Sequence, residues 1–168
     1  MSATTRRSLQ IKEGRDPYQA AYMAGYADGE GCFCVTFNRS SRHRFGWEIR
    51  PSFSVSQNTD RAEVLDMFLQ TFGDGAIRPD RSDRTLKYET RSVSVLATKV
   101  VPFFRQHPLL SRKKDEFERF AEIVLLMHGG GHLTHDGFAK IAELARSLNA
   151  SGAKRYGRDQ IVPVQMNA

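Results

Sequence analysis

The chain has 168 residues, the size of one compact domain, and 40% of them are hydrophobic, which excludes wholesale disorder. Lys and Arg total 25 against 19 Asp and Glu, a net charge of +6 that suits a polyanionic partner. No apolar run approaches the ~20 residues of a membrane span, and the polar N-terminus lacks the apolar stretch of a signal peptide. Cys32 and Cys34 stand too close in sequence to make a good disulfide, so a reduced, cytoplasmic protein is expected.

In chain order, residues 1–15 read as a basic arm, 16–150 as a single domain and 151–168 as a basic tail. Asp16-Pro17 is a helix start, a capping carboxylate followed by proline at the first helical position. The alanine-rich segment Tyr18 to Gly29 continues that helix. Beyond it the period changes to two: Phe33, Val35 and Phe37 alternate with Cys34, Thr36 and Asn38, the pattern of a half-buried strand. After a loop from Arg39 to Gly46, a second strand puts Trp47, Ile49, Phe53 and Val55 on one face, with Pro51 arguing for an edge or bulge. Asp60 to Phe72 predicts a helix ended by Gly73-Asp74-Gly75. Ala76 to Arg78 and Lys87 to Leu96 predict a second hairpin turning at Asp80 to Arg84, followed by a short helix over Val100 to Gln106. Ser111 caps a longer helix through Met127, and Asp136 to Leu148 forms the last.

The strand faces turned from the core carry varied hydrogen-bonding side chains, as base-edge readout requires: Thr36, Asn38, Ser40, Arg42, Arg44, Glu48, Arg50, Ser52, Ser54, Arg78 and Asp80. With Val93 and Val95 looking inward, Tyr88, Thr90 and Ser92 are expected on the same outer face. At ~3.3 Å per residue, such strands track about 10 bp, and a symmetric pair roughly 20 bp. His128, His132 and His135 have no cysteine at ligand spacing and make a weak zinc candidate. Cys32-x-Cys34 reads as strand packing rather than a metal hook.

In the first helix Ala21, Gly25 and Gly29 are spaced by four, a strip without bulk that admits a second helix at close range. Asp28 and Glu30 sit where that helix ends, a place the helix dipole disfavours for carboxylates. Met23 to Gly31 resembles the LAGLIDADG motif, and the α-β-β-α-β-β-α order is similar to the core of LAGLIDADG homing endonucleases over about residues 17–128. The resemblance implies an α+β fold of αββαββα order with an antiparallel DNA-binding sheet and an extra C-terminal helix. It implies a homodimer joined through Ala21, Ala24, Gly25 and Asp28, one motif copy being present, with Asp28 also a structural acid. Glu30 and the Gly29 carbonyl would hold Mg²⁺, with Mn²⁺ able to substitute and Ca²⁺ binding without cleavage. Gln57 and Arg61 would organise active-site water, and Lys113 would complete the site, flanked by Arg112 and Lys114. The function so implied is cleavage of both strands of a long, nearly palindromic double-stranded DNA site, with no membrane and no small-molecule substrate. Alternatives on the same scaffold are an RNA-binding intron maturase and a non-cleaving regulator. Arg112, Lys113 and Lys114, with Lys154, Arg155 and Arg158, read as phosphate contacts.

Overall fold

A computed structural model describes residues 16–80, 84–148 and 161. The basic arm 1–15 and the tail cations Lys154, Arg155 and Arg158 lie outside the described residues; Ile161 packs on the core. Asp16 and Pro17 open α1 (Pro17–Glu30), the Asp16 carboxylate accepting a 3.0 Å hydrogen bond from the Tyr18 amide. At the exit of α1 the Gly31 amide reaches back to the Ala27 carbonyl. A Cβ at Gly31 would lie 2.5 Å from that oxygen, so the corner between helix and strand admits no side chain.

β1 (Gly31–Arg39) and β2 (Trp47–Asn58) pair antiparallel with Phe33 opposite Phe53. Pro51 lies opposite Val35, whereas β4 joins the other side of β2 only from Phe53 onward. The missing proline donor therefore falls where β2 is locally an edge. A 3₁₀ turn (Thr59–Arg61) leads into α2 (Glu63–Phe72), which ends at Gly73 with φ +64°. Gly75, with φ +98°, packs so closely on β4 that a Cβ would meet the Glu89 carbonyl at 2.5 Å. β3 (Ala76–Pro79) and β4 (Thr85–Thr90) complete one antiparallel sheet of order β1-β2-β4-β3.

The end of the second hairpin corrects the sequence reading. β4 stops at Thr90, and Ser92 is a helix cap: its hydroxyl accepts from the Val95 amide at 3.3 Å. α3 (Val93–Val95), a π-helical turn (Leu96–Val100) and α4 (Val101–Gln106) then run on as continuous helical backbone. Val93 and Val95 do face the core, but from a helix. The parity of β4 reverses with this. Tyr88 and Thr90, expected outside, are buried on Asp74: the Tyr88 hydroxyl donates to its carbonyl at 2.8 Å, and the Thr90 hydroxyl donates to its carboxylate. Burial, with the Asp74 charge adding to it, pushes the Tyr88 phenol well above its ordinary range.

α5 (Lys113–His128) and α6 (His135–Ser147) finish the described fold; the Thr134 hydroxyl caps α6 by accepting from the Gly137 amide at 3.1 Å. The helices cover one sheet face through an aromatic core. Phe53, fully buried, has ring centroids at 5.0 Å from Phe33, 5.3 Å from Phe104 and 5.7 Å from Phe68. Phe53→Ala should cost about 3–5 kcal/mol in urea unfolding. A loss below about 1 kcal/mol would contradict this placement.

Candidate functional site

The exit of α1 meets the entrance of α5, and the two helix ends exchange charges. Asp28, at the negative end of α1, reaches the segment that leads into the positive end of α5: its carboxylate accepts from the Leu110 amide (3.1 Å), the Ser111 amide (2.9 Å) and the Ser111 hydroxyl (2.5 Å). The same Ser111 hydroxyl accepts from the Lys113 amide at 3.1 Å; the N-cap of α5 is Arg112, so Ser111, expected as the cap, binds the first helical amide from one residue further out. In return Lys113, in the first turn of α5, lays its ammonium on the exit of α1, donating to the Ala27 (3.2 Å) and Gly29 (3.2 Å) carbonyls of the helix and to the Gly31 carbonyl (2.8 Å) at the start of β1. Arg112 and Lys114 are exposed, and no hydrogen bond carries either to these carbonyls. Of the three cations considered at this turn, Lys113 is the one at the motif.

Burial alone would raise the Asp28 carboxyl. The hydrogen bonds from Ser111 and Leu110, with the charge of Lys113, outweigh it and hold the group below its ordinary value.

Glu30 is exposed at the last position of α1, four residues after Tyr26 on the same helix. The Tyr26 hydroxyl donates to the Ser56 carbonyl at 3.1 Å, and the Gln57 side chain reaches the phenol oxygen. Gln57 Oε1 accepts from the Asn58 amide at 2.6 Å. Burial raises the Tyr26 phenol, Glu30 and Tyr22 raise it further, and Arg61 and Gln57 oppose them. No hydrogen bond or ion pair joins Glu30, Gln57 and Arg61 among the described residues; what the three share is an electrostatic effect on Tyr26, which sequence reasoning did not single out. Its signal was present, a phenol four residues before Glu30.

Ala21 and Gly25 face outward, and a Cβ at Gly25 or Gly29 would meet nothing within 4 Å. Ala24, expected beside them, is instead buried in the chain's own core. The bare strip is flanked by Tyr18 and Tyr22, 84% and 52% exposed.

The outer sheet face carries Thr36, Asn38, Glu48, Arg50, Ser52 and Arg78 at least partly exposed, with Ser40, Arg42 and Arg44 in the β1–β2 loop and Asp80 just after β3. Ser54, between Cys32 and Glu89 across the sheet, is buried at 4% exposure. Lys87, Glu89 and Arg91 occupy the places expected for Tyr88, Thr90 and Ser92. Their alternating charges could have set the parity. Glu48 holds Arg50, and Glu89 holds Arg91, each at 2.8 Å. Beside them a groove of about 550 Å³ is lined by Arg78, Asp80, Lys87, Glu89 and Arg91, side chains of both signs.

Cys32 and Cys34 also lie on this outer face, Cys32 exposed, and neither is in a disulfide. A hydrogen bond from Cys34 lowers the Cys32 thiol to about 6; burial opposes it, and the charges of Lys87 and Lys113 add to it. Among the described residues no three His, Cys, Asp or Glu side chains come together as a metal cluster, the histidines of 128–135 included.

A family model described as LAGLIDADG endonuclease matches residues 23–124. The fold is similar to a crystal structure of the homing endonuclease I-TnaI at TM-score 0.73 and 32% identity, covering 84% of this chain and 92% of that one. It is also similar to I-LtrWI bound to target DNA, at TM-score 0.77 and 25% identity, covering 90% of this chain and 52% of that one. Among curated sequences, a probable intron-encoded endonuclease 2 of Neurospora crassa is 27% identical over 149 residues, 86% of this chain and 33% of that protein. The chain spans about a quarter to a third of the first curated relatives it matches. The α+β architecture of antiparallel sheet and flanking helices is that of the nuclease neighbours. The chain belongs to the LAGLIDADG endonuclease family.

The helix-end exchange makes a pH prediction. Because the folded Asp28 carboxyl titrates below its unfolded value, its stabilisation is complete above the unfolded range near pH ~4 and is lost as pH falls through the folded value. Asp28→Asn should therefore cost about 1–2 kcal/mol at neutral pH and progressively less in acid. Denaturant unfolding of both proteins from pH 7 down to pH 2.5 checks this; a pH-independent difference would contradict it.

Proposed function

We propose that the chain is a site-specific double-strand DNA endonuclease that works as a homodimer with a divalent cation. The observation that carries this is the Lys113 ammonium seated on the Gly29 and Gly31 carbonyls, the residues on either side of the exposed Glu30 at the end of the motif helix. A protein that only binds DNA gains nothing from an exposed acid beside phosphates. The neighbours named as homing endonucleases, one of them bound to target DNA, support the same reading. So does the naming of relatives as intron-encoded endonucleases, which points to an intron-borne protein acting wherever its host DNA resides.

The donor chemistry fits a hard cation. The Glu30 carboxylate and the Gly29 carbonyl are oxygen donors at the negative end of a helix, and they would hold Mg²⁺ together with phosphate oxygens and a second copy's acid. Bound there, the cation would supply an activated water and charge neutralisation at phosphorus. The rest falls to the chain's own residues. Gln57 orients water, Arg61 offsets charge developing on the phosphate, and Lys113 fixes the carbonyls of the motif and places a positive charge beside the scissile group.

The bare strip on α1 supports the dimer. Two such strips bring backbones into contact and set two Glu30 side chains near each other. The match to about half of the I-LtrWI chain is what one of two such units would give. The outer sheet face would then lie in the major groove, with Arg50 and Arg78 reading base edges and Lys87, Glu89 and Arg91 added to them.

Two measurements test this. In single-turnover cleavage of a duplex selected from a randomised library with Mg²⁺, Glu30→Gln should lose orders of magnitude in rate while Ca²⁺-supported binding changes little. Equal rates would remove Glu30 from the mechanism, and no wild-type cleavage on any duplex would leave the RNA-binding or regulator reading. In sedimentation, Gly25→Leu should remain folded, since the site is open in one chain, yet become monomeric. A Gly25→Leu dimer of wild-type stability would place the interface elsewhere.

A further inference from the structure

The fourth position of the motif, where the motif's own name spells leucine, is held here by Tyr26. Leucine could fill the half-buried space but could not do what this phenol does. Its hydroxyl donates to the Ser56 carbonyl at 3.1 Å, tying the end of β2 to the middle of α1. Its oxygen is within reach of the Gln57 side chain, whose Oε1 is already held at 2.6 Å by the Asn58 amide. Gln57 is thereby held at Oε1 by backbone, with the phenol beside the other end of its amide and anchoring the preceding residue, Ser56. Without the phenol, only the Oε1 contact remains, and the amide group turns about its terminal torsion, which is broad and soft. Tyr26 is also electrostatically coupled to Glu30, four residues on, and to Arg61, three residues past Asn58.

We infer that Tyr26 is a positioning residue, whose hydroxyl fixes the Gln57 amide and the β2 exit, and so the placement of Arg61 against Glu30. The inference rests on the proposed endonuclease reading for its catalytic consequence and, for its structural one, on the Tyr26–Ser56 and Asn58–Gln57 hydrogen bonds that set the phenol beside the Gln57 amide. The phenol contacts no substrate; it acts through Gln57. Errors of about 1 Å in such supports are worth up to about a hundredfold in rate, so the hydroxyl should be visible in the chemistry while contributing little to binding.

The test uses the full chain with Tyr26→Phe, which keeps the ring and removes the hydroxyl. In metal-free protein, ¹⁵N spectra should show the Gln57 side-chain amide resolved in the wild type and moved to the averaged position of a solvent-exposed amide in Tyr26→Phe. The Arg61 Nε–Hε signal should shift with it, and core signals should stay put. On a cleavable duplex, the maximal single-turnover rate should fall about tenfold with the half-saturating protein concentration unchanged. Tyr26→Leu, the motif's own letter, should behave like Tyr26→Phe. In a Gln57→Ala background, Tyr26→Phe should cause a clearly smaller further loss, because only its hold on the β2 exit remains to be removed. An unchanged Gln57 amide in Tyr26→Phe overturns the inference, and so does a rate loss that multiplies in the Gln57→Ala background. A rate loss matched by an equal loss in DNA affinity also overturns it. If the wild type cleaves nothing, the endonuclease reading fails, and the spectra still decide whether Tyr26 holds Gln57.

Discussion

Two helix ends that each carry the wrong charge for their own dipole satisfy one another. Asp28 is disfavoured at the C-terminal end of α1, and Lys113 is disfavoured in the first turn of α5. Placed across the junction, Asp28 holds the segment that leads into α5 through three hydrogen bonds, and Lys113 holds the exit of α1 and the start of β1 through three more. The last turn of the motif is then held from a segment more than eighty residues away. Glu30 stands two residues after Asp28 on that turn, and the strand that carries the outer face begins at the next residue. The position of the acid, the start of β1 and the ammonium that faces them are settled by one exchange.

The remainder of the structure divides labour between two faces of one sheet. The inner face is aromatic and closely packed, and it fixes the curvature and register on which the outer side chains stand. The outer face is polar and charged, with Glu48–Arg50 and Glu89–Arg91 pairs holding guanidinium groups on the strands. These exposed pairs add little stability. Their effect is on direction, since an arginine held by a carboxylate two residues away presents its remaining donors outward. α1 does something different again: its inner side carries Ala20, Met23, Ala24 and Ala27 into the core, while on its bare outer side a Cβ at Gly25 or Gly29 would meet none of the described residues within 4 Å.

Most of the element order was legible because it rests on local signals. The Asp16-Pro17 start, the change of period after Gly31 and the glycines after α2 all lie within a few residues of what they specify. The end of β4 was not legible in the same way. Val93 and Val95 are β-branched and spaced by two, so they imitate a strand, while the structure uses them at the start of a helix capped by Ser92. Taking them as inward strand residues reversed the parity of Tyr88 and Thr90, whose burial depends on Asp74 from a turn fourteen or more residues away. Within the site, the motif pointed to Glu30, Gln57, Arg61 and Lys113. The purpose of Asp28 was hidden, because its partners at Leu110 and Ser111 belong to a loop that no spacing rule connects to α1. Tyr26 was hidden for the opposite reason: in a helix it looks like core, and its hydroxyl matters only once β2 is laid beside it.

The measurement that bears most directly on the exchange is a double-mutant cycle on Asp28→Asn and Lys113→Met, read by denaturant unfolding at pH 7. If the two side chains hold the same pair of helix ends, the second substitution should cost clearly less in the background of the first, with a coupling of about 1 kcal/mol. The gap should close below the titration of Asp28, where its carboxylate is neutral in both folded and unfolded chains. Strictly additive losses at pH 7 would show two independent caps, and the claim that one exchange positions the motif would be wrong.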